Sequence, residues 1–342
     1  MAGSPDDLIQ VNLGDRSYPI VVGSGVSGQI AKYIPSGVSK IAIITQGNIP
    51  DLLELAFPTV RIEVPDGEEA KRLSEVERVS ELLVDSGFGR SDLIVNVGGG
   101  VVTDLGGFIA ATYHRGVRFL NVPTSLLGMV DAAIGGKTGV NLPRGKNLVG
   151  AFWQPEAVIC DTDYLSSLPH EEYLCGLGEL CKYEFIGAGE LSSLPLDEQI
   201  RRSVALKASV VSADEREGGR RAILNYGHTL AHAIELQGFT KAPGELKHGQ
   251  AVAIGVTFAA LLAEKLGRID GHRVEEHRRA IARYGLDGRL PRWVDRDALP
   301  GQMLTDKKAD GTLTFVLDGP SGVEVVRGVN EEIVRKVLRD AR

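Results

Sequence analysis

The chain of 342 residues exceeds the ~100–200 residues of one ordinary core, so two domains, or one large α/β unit with an added lobe, are expected. A net charge of −7, from 38 basic and 45 acidic residues, speaks against wrapping nucleic acid or lying on an anionic membrane. Met1–Asp7 is polar and no run reaches ~18 apolar residues, so neither export nor a membrane span is expected, and the cytoplasm is the expected location. Cys160, Cys175 and Cys181 cannot close a disulfide set and none pair at CxxC spacing, which fits free, buried thiols in a reducing compartment.

Strand and helix signals alternate through the first half. Leu8–Leu13 and Tyr18–Val22 flank Gly14-Asp15 as a hairpin. Ile41–Thr45 and Val60–Val64 are short apolar runs, and Lys71–Ser86 then sets Leu73, Val76, Val79, Leu82 and Leu83 at helical spacing. Leu93–Val97, Phe119–Val122 and Ala157–Asp161 read as further strands. Such alternation predicts a Rossmann-like α/β domain, a parallel sheet covered on both faces, with ligands outside the carboxyl ends of its strands. Past Pro169 the pattern turns helical, over His170–Ile186, Glu198–Ala213, Arg221–Gln237, Gln250–Leu266 and Arg273–Tyr284. Only Leu313–Leu317 and Val323–Val326 look extended there, around Gly319-Pro320. The expected division is 1–165 as the α/β domain and 166–342 as the helical one.

Glycine is in excess, 42 residues or about 12% against a usual ~7%, and it concentrates between Gly98 and Gly150. In Leu93–Phe108 a strand runs into Gly98-Gly99-Gly100 and then a helix, which suits a pyrophosphate met by free helix-start N–H groups. The segment is not GxGxxG, so the dinucleotide fingerprint fails literally. Gly135-Gly136-Lys137-Thr138 looks like the end of a P-loop, but Asp131 stands where the first glycine is required, which excludes that motif. Lys137, Arg144 and Lys146 lie close together beside Asn141 and Asn147. By themselves they read as a solvated basic loop, with a cradle for phosphate or carboxylate as the alternative.

On one continuous helix, Arg221, Asn225, His228 and His232 would share a stripe about 60° wide. Two imidazoles four residues apart, extended by Arg and Asn, look like the wall of a site. Thr229 stands where HExxH needs glutamate, which excludes a zincin protease. His248 sits at an expected helix start, and Glu179 and Lys182 share a helix face. Glu179, His228 and His248 would make an open catalytic zinc set, but spacing alone leaves open whether they meet. His114, His170, His272 and His277 read as surface or packing residues.

Over nearly its whole length the chain resembles the 3-dehydroquinate synthases and the wider sugar phosphate cyclases. The resemblance is carried by Pro65-Asp-Gly-Glu-Glu-Ala-Lys71, Gly98-Gly-Gly-Val-Val-Thr-Asp104 and Val130-Asp-Ala-Ala-Ile-Gly-Gly-Lys-Thr138. It continues through Gly145-Lys-Asn147, Asp214-Glu-Arg-Glu-Gly218, Leu224-Asn-Tyr-Gly-His228, His248-Gly249 and Asp306-Lys-Lys308. It implies an NAD-binding α/β domain, a helical domain, and a metal in the cleft between, acting on 3-deoxy-D-arabino-heptulosonate 7-phosphate. A hydroxyl is oxidised, phosphate is eliminated, the ketone is reduced back, and the opened ring closes by an aldol step. NAD is regenerated within one turnover.

The resemblance assigns zinc or cobalt to Glu179, His228 and His248. It assigns the substrate phosphate to Lys137, Asn147, Arg221 and one or both of Lys307 and Lys308. Lys182, Lys207 and Asn225 fall to the carboxylate and ring hydroxyls, and Asp131, Lys146 and His232 to the reacting centre. Arg115 is a residue lent across a homodimer. For NAD it implies Asp66, Glu68 and Lys71 on the ribose and adenine side and Gly99, Gly100, Val101, Val102, Thr103 and Asp104 at the pyrophosphate. Thr124 and Ser125 follow a strand end, Leu165, Ser166 and Ser167 lie toward nicotinamide, and Lys137 and Lys146 are also counted as cofactor contacts. Two departures stand out. Gln46 replaces the usual acidic or asparagine residue that would meet the adenosine ribose, and the segment between Ile186 and Arg201 is short. Aminodehydroquinate synthases of ansamycin-type pathways look similarly trimmed and act on an amino analogue. Other readings are a metal-dependent polyol dehydrogenase, which would accumulate NADH, and a non-enzymatic NAD or metal-binding protein.

Overall fold

A computed structural model describes residues 8–242, 245–305 and 313–340. Lys307 and Lys308 lie outside the described residues. The chain forms two compact units, Met1–Pro169 with Val204–Arg216, and His170–Ser203 with Glu217–Arg342.

The first unit is built on β1 (Ile9–Val11), β2 (Tyr18–Gly23), β3 (Ile41–Thr45), β4 (Thr59–Glu63), α1 (Leu73–Asp85), β5 (Leu93–Gly98), α2 (Gly100–Thr112), β6 (Arg118–Pro123), β7 (Lys137–Leu142), β8 (Gly145–Phe152) and β9 (Ala157–Asp161). Seven strands form one sheet in the order β1-β2-β9-β6-β5-β3-β4. All its pairings are parallel except the expected β1–β2 hairpin. Every residue of β3, β5 and β9 is buried, as strands covered on both faces require. One layer of that cover is α1 and α2, whose Val79, Leu83, Val102, Leu105 and Ile109 pack with Ile44 and Ile94. Register sets Thr45 beside Val97 and Gly98 beside Pro123, so the carboxyl ends of three strands align. Gln46, Gly99 and Thr124 follow those ends. The α2 backbone lies close on the strands, since a Cβ at Gly106 would meet Asn96 Oδ1 at 1.8 Å and one at Gly107 would meet Thr138 at 2.5 Å.

The basic, glycine-rich stretch after Gly136 is not a loop. It is the antiparallel hairpin β7–β8, with a register shift between Val140 and Leu142. Its glycines and that shift hide the alternation a strand normally shows.

The second unit comprises α3 (His170–Tyr183), the first part of α4 (Leu196–Ala213), α5 (His228–Lys241), α6 (His248–Lys265), α7 (Gly271–Arg283), α8 (Leu299–Thr305), the antiparallel pair β10 (Leu313–Leu317) and β11 (Glu324–Val329), and α9 (Glu331–Asp340). The expected helix over Arg221–Gln237 is in fact two pieces. A 3₁₀ segment, Arg220–Asn225, is followed by extended Tyr226 and left-handed Gly227, and α5 begins only at His228. A Cβ at Gly227 would approach Val256 N to 2.7 Å, so glycine is required both for its φ of +82° and for space. Arg221 and Asn225 therefore do not continue the His228–His232 row.

The short segment after α3 is closed by the Glu184 carboxylate. It accepts the backbone N–H groups of Leu191 at 3.0 Å and Ser192 at 2.8 Å, and the Tyr284 hydroxyl at 3.0 Å. All three cysteines are free and buried, as expected. No helix among the described residues is long and apolar enough to cross a membrane.

Candidate metal centre and nucleotide turn

Three close helix contacts in the second unit bring the predicted metal ligands together. A Cβ at Gly178 would lie 2.1 Å from Gly249 O, and one at Gly249 would lie 1.8 Å from Cys175 O, so α3 and α6 meet backbone to backbone. A Cβ at Gly255 of α6 would fall 2.0 Å from Gly227 O. Each of these contacts abuts a ligand in sequence: Gly178 precedes Glu179, Gly249 follows His248 and Gly227 precedes His228. With larger residues there the helices could not approach closely enough for the three donors to converge.

Glu179 Oε1 lies 3.3 Å from His228 Nε2 and 3.4 Å from His248 Nε2. One ligand atom from each of the three residues lies within 4.8 Å of the others. A tetrahedral ion with bonds of ~2.1 Å separates its donors by ~3.4 Å, so these spacings fit such an ion. The glutamate is fully buried, and neither of its oxygens meets hydrogen-bond geometry. Its other oxygen, Oε2, pairs with the ammonium of Lys182, itself 1% exposed.

The outer nitrogens of both rings are held. His228 Nδ1 lies 3.2 Å from Tyr226 O, a carbonyl that can only accept, so Nδ1 carries the hydrogen and a neutral ring turns its Nε2 lone pair toward Glu179. His248 Nδ1 lies 3.3 Å from the carboxylate of Glu235. Burial, and then Lys182, push the His228 imidazole below its ordinary range, which favours that neutral form. Burial works against charge on Glu179 too, but the Lys182 ammonium leads the groups that outweigh it and hold the carboxyl well below the usual range. At His248 burial is outweighed by the carboxylates of Glu179 and Glu235, which raise it well above an ordinary histidine. A divalent ion taking these donors would displace that proton.

His232, one turn beyond His228 on α5, is exposed, with its ring 5.5 Å from that of His228. Arg221 is buried and Asn225 donates to Glu217 Oε1 at 2.7 Å, both on the segment leading into α5. Glu235 was not among the predicted residues. A signal for it existed, because it falls seven positions after His228 on the same face of α5.

The first unit carries the expected glycine turn. Gly99 is the N-cap of α2 and no side chain caps the helix, which leaves its start to an anion. Beside it Lys71 Nζ donates to Asp104 Oδ2 at 2.7 Å and to Asn147 Oδ1 at 2.6 Å. Asn141 ties the hairpin to the same place, with its N–H on Lys71 O at 2.8 Å and its side chain on Glu68 at 2.8 Å. Burial, only partly offset by Lys71, pushes the Asp104 carboxyl up to about 6. The resemblance places Lys71 on the cofactor side and Asn147 on the substrate side; here the two are bonded to each other.

Lys207, expected with Lys182 and Asn225 on the carboxylate and ring hydroxyls, counts with the first unit and donates to both the carbonyl and the carboxylate of Asp131. Gln46 Nε2 donates to Asp66 Oδ1 at 3.1 Å, so the departure at this position fastens a predicted ribose residue. Thr124 is buried with its N–H on Gly98 O at 3.0 Å, and Ser125 Oγ accepts from Gly128 N–H at 3.1 Å. Ser166 and Ser167 direct their hydroxyls to Asp163 O and Tyr164 O, on the 3₁₀ segment that also holds Leu165. Lys137, Arg144 and Lys146 are exposed on the hairpin. Arg115 is exposed and follows His114 in left-handed backbone, at φ of 65° and 49°.

Profiles of the family described as 3-dehydroquinate synthase, N-terminal and C-terminal, match residues 61–175 and 176–309. The chain belongs to the 3-dehydroquinate synthase family. Within it, a protein named "Putative aminodehydroquinate synthase" from Amycolatopsis mediterranei (strain S699) is 48% identical over 332 residues, covering 96% of this chain and 93% of that one. A 3-dehydroquinate synthase from Thermobifida fusca (strain YX) is 43% identical over 363 residues, with 97% and 96% covered. Among solved structures, a 2-deoxy-scyllo-inosose synthase complexed with carbaglucose-6-phosphate, NAD+ and Co2+ superposes with a TM-score of 0.86 at 27% identity, covering 98% of this chain and all of that one. The family membership and this likeness identify the fold as that of the dehydroquinate synthase-like cyclases and the protein as a sugar phosphate cyclase.

Proposed function

We propose that the protein is a 3-dehydroquinate synthase, a carbon–oxygen lyase that turns 3-deoxy-D-arabino-heptulosonate 7-phosphate into a carbocycle and inorganic phosphate. The observation that carries this reading is the convergence of Glu179, His228 and His248. A buried carboxylate oxygen faces a neutral imidazole lone pair at 3.3 Å with no hydrogen bond between them, an arrangement that a bound divalent cation would relieve. In this reading those three residues hold Zn2+ or Co2+. NAD lies with its pyrophosphate on Gly99 to Asp104 and its ribose side on Asp66, Glu68 and Lys71. When bound, the metal supplies Lewis acidity at a substrate oxygen and NAD a reversible two-electron oxidation.

The chain's own residues supply charge and orientation. The Lys182 ammonium, buried against Glu179, stabilises negative charge that develops on a substrate oxygen there. Lys137, Asn147, Arg221 and Lys307 or Lys308 bind the phosphate, and Lys207 and Asn225 the carboxylate and hydroxyls. The proton lost in elimination lies next to a ketone and is acidic, so the departing phosphate can take it and no dedicated base is required. Arg115 serves a second copy in a homodimer, and the protein works in the cytoplasm.

A second reading has the amino analogue as substrate. The Amycolatopsis relative at 48% identity and the short 186–201 segment favour it. One experiment tests both: phosphate release from the heptulosonate phosphate and from its amino analogue, with NAD and Zn2+ or Co2+, while absorbance of NADH is followed. Phosphate release without NADH accumulation is expected, and the preferred substrate chooses between the readings. Continuous NADH production with no phosphate release would assign a dehydrogenase instead.

A further inference from the structure

We propose that Glu235 is a positioning residue for the metal centre, fixing the His248 ring from its outer edge. The proposal rests on the reading of Glu179, His228 and His248 as metal ligands. The two imidazoles are held unequally. His228 is secured by the main-chain carbonyl of Tyr226, two residues away in sequence and set by the Gly227 turn. His248 is the first residue of α6. The Lys247 backbone N–H, which donates to Gln250 Oε1 at 2.9 Å, and the Gly249–Cys175 approach fix its backbone there, but neither fixes rotation of the ring.

That rotation is set by the Glu235 carboxylate, 3.3 Å from Nδ1, while Nε2 points to Glu179 at 3.4 Å. Glu235 lies two turns along α5 from His228 and faces the same way. One helix therefore places one ligand directly and a second through its carboxylate. A carboxylate behind an imidazole holds the hydrogen on the outer nitrogen, keeps the inner lone pair for metal and makes that nitrogen a stronger donor. With Glu179, it also supplies two negative charges to balance a divalent ion.

The test is Zn2+ affinity, measured on metal-free full-length protein by competition with a chromophoric chelator, for wild type, Glu235→Ala, Glu235→Gln and Glu179→Ala. Circular dichroism and melting of each metal-free variant are followed alongside. Glu235→Ala is expected to lose about 10- to 100-fold in affinity. Glu235→Gln, which keeps an oxygen acceptor without the charge, should lose several-fold, and Glu179→Ala should abolish saturable binding. Wild-type affinity in both Glu235 variants, with binding abolished in Glu179→Ala, overturns the role of Glu235 and leaves the metal centre standing. If Glu235→Ala does not fold, Glu235→Gln decides: a several-fold loss supports the role, and unchanged affinity overturns it. Failure of the wild type to bind Zn2+ overturns the metal centre and this role with it.

Discussion

The first unit holds a cluster around Lys71 and the second a cluster around Glu179, and they differ in one respect. Around Lys71 every group meets a complement: the ammonium has Asp104 and Asn147, Asn141 has Glu68, and the hairpin is tied down by the same bonds. Around Glu179 only one oxygen is met, by Lys182, while the other faces two ring nitrogens. A closed network of this kind supports structure, whereas an open one in a buried setting is a binding site for the missing charge. The first cluster therefore shapes the ground next to the uncapped α2 start, and the second has the open character that the proposed metal centre requires.

The contrast fails most visibly if the open cluster tolerates change. Glu179→Gln should lower phosphate release on the order of 10³-fold, about 4 kcal/mol of transition-state stabilisation, and wild type stripped by chelator should fall to a similar level. The closed cluster should respond in stability as well as in activity, because its bonds also hold the hairpin in place. Lys71→Met leaves the part-buried Asp104 carboxyl without its ammonium, and urea denaturation should show a loss of about 1–3 kcal/mol. An unchanged urea midpoint in that variant would show that the Lys71 network carries no structural weight.

The smallest effect concerns the support of the second cluster. His277 is fully buried, stacked on Phe185 with ring centroids 3.8 Å apart. Its Nδ1 donates to Arg273 O at 2.8 Å, so its Nε2 accepts the Tyr226 hydroxyl at 2.9 Å. Burial pushes its imidazole down to about 4. The folded state thus holds the proton less tightly than the unfolded chain. This contribution to stability is complete above pH ~6.5 and is lost progressively as pH falls to ~4, amounting to at most about 3 kcal/mol. His277→Gln, which keeps an acceptor for Tyr226, should flatten that part of the profile. A variant curve parallel to wild type between pH 7 and 4 would contradict the assignment.

Much of this was legible in the sequence, for a physical reason that also marks the limit. The parallel strands were visible because burial on both faces leaves unbroken apolar runs such as Ile41–Thr45. The start of α6 at His248 was visible from the sequence before Gln250. The hairpin β7–β8 was not, since glycine, lysine and asparagine occupy positions where alternation would show. The false continuity of Arg221 with His232 came from helical spacing alone; the single glycine at 227 overrides it through a conformation and a contact with α6 that spacing does not encode. Convergence of Glu179, His228 and His248 depends on three glycine-mediated helix contacts between residues distant in sequence, so no local pattern could show it. The contact of Lys207 with Asp131 escaped notice for the same kind of reason, since the two lie 76 residues apart.

Glu179, His228 and His248 form the proposed centre only if the three donors take one divalent ion. The direct measurement is titration of metal-free protein with Co2+, read by visible absorption. The expected result is saturation at about one equivalent, with d–d bands of a low-symmetry nitrogen–oxygen site that vanish in Glu179→Ala. Absence of saturable bands in the wild type, or the same spectrum in Glu179→Ala, would contradict it.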